Sequence, residues 1–106
     1  MESNMVNSEK NYIKIIKEYF LKNIQEFKLV NENFHGPFWH TKFSNGEIVI
    51  IIEGDIGFDA RIVIGETEYP LWQFDRSVGS KTETNIENIN FVLEVIKSFF
   101  KRDNEE

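Results

Sequence analysis

Residues 38–74 read FWHTKFSNGEIVIIIEGDIGFDARIVIGETEYPLWQF. Apolar and polar residues alternate through much of this stretch, the period of a strand with one buried face. Asn45-Gly46 is the dipeptide favoured in a two-residue hairpin turn, where both central positions need positive φ. Such a turn sets Phe43 opposite Ile48, Thr41 opposite Ile50 and Trp39 opposite Ile52. Trp39, Thr41, Phe43, Ile48, Ile50 and Ile52 then share one face, and His40, Lys42, Val49 and Ile51 share the other. After the glycine-containing connection at 53–57, Phe58, Ala60, Ile62 and Ile64 alternate with Asp59, Arg61 and Val63. Gly65-Glu66 predicts a second hairpin turn, with Ile62 opposite Tyr69 and Pro70 opposite Arg61. Proline cannot donate to a strand ladder, so this last strand, carried on through Trp72, Gln73 and Phe74, belongs at a sheet edge.

Helical periodicity flanks the strands. Tyr12, Ile13, Ile16, Tyr19, Phe20, Ile24 and Phe27 recur at steps of three and four behind Ser8, a helix-capping residue type. Ile89, Val92, Leu93, Ile96, Phe99 and Phe100 form a second stripe behind Thr84-Asn85-Ile86-Glu87, which has the spacing of a capping box. Lys97, Lys101 and Arg102 fall in the last turns, where cations suit the helix dipole. Between the first helix and the long strand stretch, Leu29 and Val30 predict a short strand, Asn31-Glu32-Asn33 a turn, and His35-Gly36-Pro37 a break. The expectation is an α+β fold in two layers. It has an N-terminal helix, an antiparallel meander of about four strands and a C-terminal helix, with both helices on the Trp39/Ile50/Ile62 face. Residues 1–106 form one domain in this reading, with 1–7 and 103–106 as frayed tails.

Composition narrows the function classes. The 106-residue chain has a formal net charge of −6, no cysteine, and 14 % aromatic residues. An acidic chain without a basic stripe is poorly suited to nucleic acid. Disulfides and thiolate metal sites are excluded. The longest continuous apolar run, residues 48–52, is far short of the roughly 20 residues that span a bilayer. The first ten residues, MESNMVNSEK, lack the apolar core of a secretory signal, so the expected location is cytoplasmic. The abundance of Ile, Asn, Lys and Glu is that of a bacterium with an AT-rich genome.

No GxSxG, HExxH or phosphate-cradling glycine loop is present, and no catalytic residue is assigned. His35 and His40 straddle a Gly-Pro break and make a poor metal-ligand pair. Glu53, Asp55 and Asp59 offer oxygen ligands at a spacing that fits no calcium loop. Neither metal nor cofactor is expected. What remains is the sheet face opposite the helices, where His40, Lys42, Asp59, Arg61, Glu68 and Trp72 mix charge, aliphatic stems and one large aromatic. Trp and Arg are characteristic of binding hot spots. These six residues are the candidate partner-binding set. The plain alternative is a wetted face whose apolar members merely suit a pleated strand.

Small size, acidity, a leading helix and a meander containing GDIGFDARIVI and ending in LWQFD resemble the immunity-type proteins of bacterial polymorphic toxin systems. The resemblance implies a non-catalytic inhibitor that binds a basic toxin domain, and it assigns no functional residues. Two other functions fit the same residues. One is a small enzyme or ligand-binding domain with a pocket near His40, Asp59 and Arg61. The other is a self-associating structural domain.

Overall fold

A computed structural model describes residues 8–104. The elements run α1 (Ser8–Asn23), β1 (Lys28–His35), β2 (Phe38–Ser44), β3 (Ile48–Gly54), β4 (Phe58–Ile64), β5 (Thr67–Pro70), two 3-10 turns (Leu71–Gln73 and Arg76–Ser80) and α2 (Ile86–Asn104). The strands form one antiparallel meander in the order β1-β2-β3-β4-β5. Both helices lie on one face, giving the two-layer α+β arrangement that the sequence predicts. A single apolar cluster joins Ile16 and Phe20 of α1, Trp39 and Phe43 of β2, Ile50 and Ile52 of β3, Ile62 of β4, and Ile89, Leu93 and Ile96 of α2. Phe20 stacks on Phe43 with ring centroids 3.8 Å apart. The Tyr19 hydroxyl donates to the Glu94 carboxylate at 2.7 Å and ties the helices together. Burial and that carboxylate both push the phenol above its ordinary pKa. Among the described residues, no helix is long and apolar enough to cross a membrane.

Several local expectations are corrected. The sheet has five strands, because residues 28–35 form one continuous edge strand with a bulge between Leu29 and Asn31, and no turn falls at 31–33. Its mostly exposed residues hide the period-two signal, even though α1 lies against the strand and Lys17 pairs with Glu32 at 2.8 Å. The β2–β3 hairpin is wider than two residues: Ser44 pairs with Val49 and Phe43 with Ile50. The Asn45 side chain holds the wider loop by accepting from the N–H groups of Glu47 and Ile48, at 2.9 and 2.8 Å. Because the slip is two residues, an even number, every side chain keeps its expected face. The observed register also sets Gly54 opposite both Trp39 and Phe58, so the two rings pack across a residue without a side chain.

β5 ends at Pro70 instead of running through Phe74. Leu71 is fully buried and opens a 3-10 turn whose carbonyl accepts from the N–H groups of Phe74 and Asp75. The cap of α2 is also displaced by one residue. Asn85 Oδ1 accepts from the Asn88 N–H at 2.7 Å. Thr84 instead gives its N–H to the Ile56 carbonyl. Its hydroxyl is buried with no hydrogen-bond partner among the described residues. The expected tails at 1–7 and 105–106 lie outside the described residues, whereas 103–104 belong to α2.

Candidate functional site

On the sheet face away from the helices, the strand register lays side chains in rows. One row runs Asn33, His40, Glu53, Asp59; the next runs Asn31, Lys42, Ile51, Arg61, Pro70. Arg61 stands at the centre of an ionic network. Its Nη1 donates to Glu53 Oε2 at 2.9 Å and to Asp59 Oδ2 at 3.1 Å. Its Nε is buried 3.3 Å from Glu68 Oε1, an ion pair whose alignment falls short of a hydrogen bond. His40 Nδ1 donates to the other Glu53 oxygen at 2.7 Å. Burial penalises the Glu53 carboxylate, but the hydrogen bonds from His40 and Arg61 outweigh it and hold the pKa below the ordinary glutamate value. The same contest runs in reverse at Arg61, where burial is outweighed by Glu53, Asp59 and Glu68 and the guanidinium is held charged. Ile51 beside them is only 7 % exposed, covered although it faces away from the helices.

The termination of β5 at Pro70 creates the second part of the site. β5 pairs with β4 only from Arg61 to Ile64. Residues 82–84 return beside the other end of β4, where the Phe58 N–H donates to the Thr82 carbonyl at 2.8 Å and Gly57 bridges Glu83. Between these two neighbours the edge of β4 opens into a groove of about 510 Å³. Phe58, Ala60, Pro70, Val78 and Val92 give it an apolar floor, and Asp59 and Arg61 stand on its wall. Trp72, 52 % exposed on the first 3-10 turn, forms another wall.

The structure therefore gathers four of the six expected residues, His40, Asp59, Arg61 and Glu68, into one network. Trp72 reaches the same place by a different route: it leaves the sheet and joins Asp59 and Arg61 across the groove. Lys42 shares the face and pairs in register with Ile51. It makes no ion pair among the described residues. Glu53 is the residue that the sequence reading left out of the set. The two-residue slip explains this, since the expected register put Ile51, not Glu53, opposite His40. Glu53 and Asp59 of the acidic trio turn to Arg61, and among the described residues no group of His, Asp or Glu is placed to hold a metal ion. His40 is not among the residues lining the groove. Chemically the site offers an apolar slot with a half-exposed indole, next to three carboxylates organised by one guanidinium. In comparisons with known proteins, no family model, no curated protein and no solved structure matches the chain.

Proposed function

We propose that the chain is a non-catalytic binding domain for a basic protein, in the manner of an immunity-type inhibitor of a toxin domain. Its contact surface is the open sheet face and the adjoining groove. The observation that carries this reading is the groove itself. An exposed tryptophan flanks an apolar slot whose rim joins a carboxylate-rich network, the combination of anchor pocket and charged border found where partners dock. The net charge of −6 supports a basic partner, because long-range attraction speeds encounter and sets orientation. The test is affinity capture from lysate of the source cells, comparing the native chain with Trp72→Ala and Asp59→Asn. The expected result is one basic protein retained by the native chain, released at high salt and weakened by both substitutions. Loss of all specific capture, or capture only of acidic proteins, contradicts the reading.

A second reading has one observation in its favour. Asp59 and Arg61 do converge on a cavity, as a ligand-binding domain requires. His40, the third residue of that alternative, lies outside the cavity lining.

A further inference from the structure

We infer that the groove beside Arg61 receives an arginine side chain of the basic partner, its stem on the apolar floor and its guanidinium between the Trp72 indole and the Asp59 carboxylate. The inference rests on the binding reading above and specifies what that site recognises.

The first argument is charge. Glu53, Asp59 and Glu68 surround one guanidinium. Glu53 is well served, bonded to both Arg61 and His40. Asp59 and Glu68 share what remains of Arg61, and their side chains are 55 % and 60 % exposed. Both retain free lone pairs toward solvent, since a carboxylate accepts about four hydrogen bonds. Among the described residues, no lysine and no second arginine pairs with these carboxylates. The same inventory disfavours an anionic ligand, because the Arg61 fork is already engaged with carboxylates. Lys81 also lines the groove, but its ammonium sits over the Phe91 ring, 5.2 Å from the centroid. Among the described residues, that ammonium forms no ion pair with Asp59 or Glu68.

The second argument is shape. The floor of Phe58, Ala60, Pro70 and Val92 suits a flexible aliphatic stem. At its edge an exposed indole offers a π-face, and a guanidinium stacks on such a face while bonding a carboxylate in its plane. A lysine ammonium is more strongly hydrated and has no flat surface to stack, so the geometry selects arginine.

The test uses the full chain and a blocked hexapeptide carrying three arginines, with citrulline and lysine versions as comparisons. Trp39 is fully buried and Trp72 half exposed, so a saturable change in tryptophan fluorescence reports the groove. Affinities of variants are read by calorimetry. The expected result is binding of the arginine peptide at least about tenfold tighter than of the citrulline or lysine peptide. Asp59→Asn and Trp72→Ala should each weaken it by about tenfold, while Glu87→Gln, the same charge change at an exposed position in the first turn of α2, should leave it unaltered. Equal affinity for citrulline or lysine overturns the inference. So does equal weakening by Asp59→Asn and Glu87→Gln, or no saturable binding up to about 1 mM. If a basic protein is captured from lysate but its affinity survives Asp59→Asn and Trp72→Ala, the arginine site and the groove as contact surface fall, while the binding of a basic protein stands. If nothing is captured and the peptide does not bind, both fall.

Discussion

Glu53→Gln keeps the shape of the side chain and removes its charge, so it isolates what the Arg61 network contributes to stability. Glu53 uses both oxygens, one toward His40 at 2.7 Å and one toward Arg61 at 2.9 Å. Glutamine has a single carbonyl oxygen, so it satisfies one of these donors and turns its amide N–H₂ against the other. Each charge-assisted bond of this kind contributes about 1.5–3 kcal/mol when well shielded. With a quarter of the Glu53 side chain exposed, solvent screening reduces the expected cost to about 1–2 kcal/mol at pH 7. In urea, with a slope near 1–1.5 kcal/mol/M for a small domain, that is a midpoint about 1 M lower.

The pH dependence sharpens the test. The folded pKa of Glu53 is depressed below its ordinary value of 4.5. The network's contribution is therefore fully present above that value and is lost as pH falls through the folded pKa. The gap in unfolding free energy between native and Glu53→Gln chains should be widest near neutrality and narrow in acid, as pH falls below 4.5 through the depressed folded pKa. A gap that is unchanged between those conditions, or absent at neutrality, refutes the account of the network.

Other outcomes follow from the same geometry. Gly54→Ala would place a Cβ 2.4 Å from Phe58 Cβ, 2.5 Å from the Gly57 carbonyl oxygen and 2.6 Å from Phe58 Cα. Two of these three atoms are backbone and cannot rotate aside, so the cost is roughly 3 kcal/mol, or about 12 °C or more in Tm; a melting curve within a few degrees of native would contradict the Trp39–Gly54–Phe58 packing. Trp72→Ala, by contrast, truncates a half-exposed side chain on a 3-10 turn. Its urea midpoint should move by less than the equivalent of about 1 kcal/mol, so a large loss of stability would reassign Trp72 from binding to core.

The layered arrangement is legible from periodicity because both helices carry a wide apolar stripe and β2 and β4 alternate, whereas β3 is apolar throughout residues 48–52. Trp39, Ile50 and Ile62 lie on the buried face, as the sequence predicts, even though the β2–β3 pairing slips by two residues. A strand's faces depend only on parity, whereas its cross-strand partners depend on the full register. That distinction explains the main omission at the site. His40 and Arg61 were assigned to the right face, but Glu53, which joins them, appears only once Asn45 is seen to build a wider loop by bonding to Glu47 and Ile48. Of β1 only the opening at Leu29 and Val30 is legible, because its residues are almost all exposed and carry no alternation. The groove depends on Pro70 ending β5 and on residues 82–84 folding back beside Phe58, a long-range return that no local pattern encodes.

The most direct measurement is the map of amide and indole shifts in the ¹⁵N NMR spectrum on titration with the arginine hexapeptide. Shifts should concentrate at Asp59, Ala60, Arg61, Gly79 and the Trp72 indole, with Trp39 and α1 unmoved. Shifts centred instead on the separate apolar slot between α1 and β1, around Leu21 and Leu29, or spread evenly over the acidic surface, would contradict it.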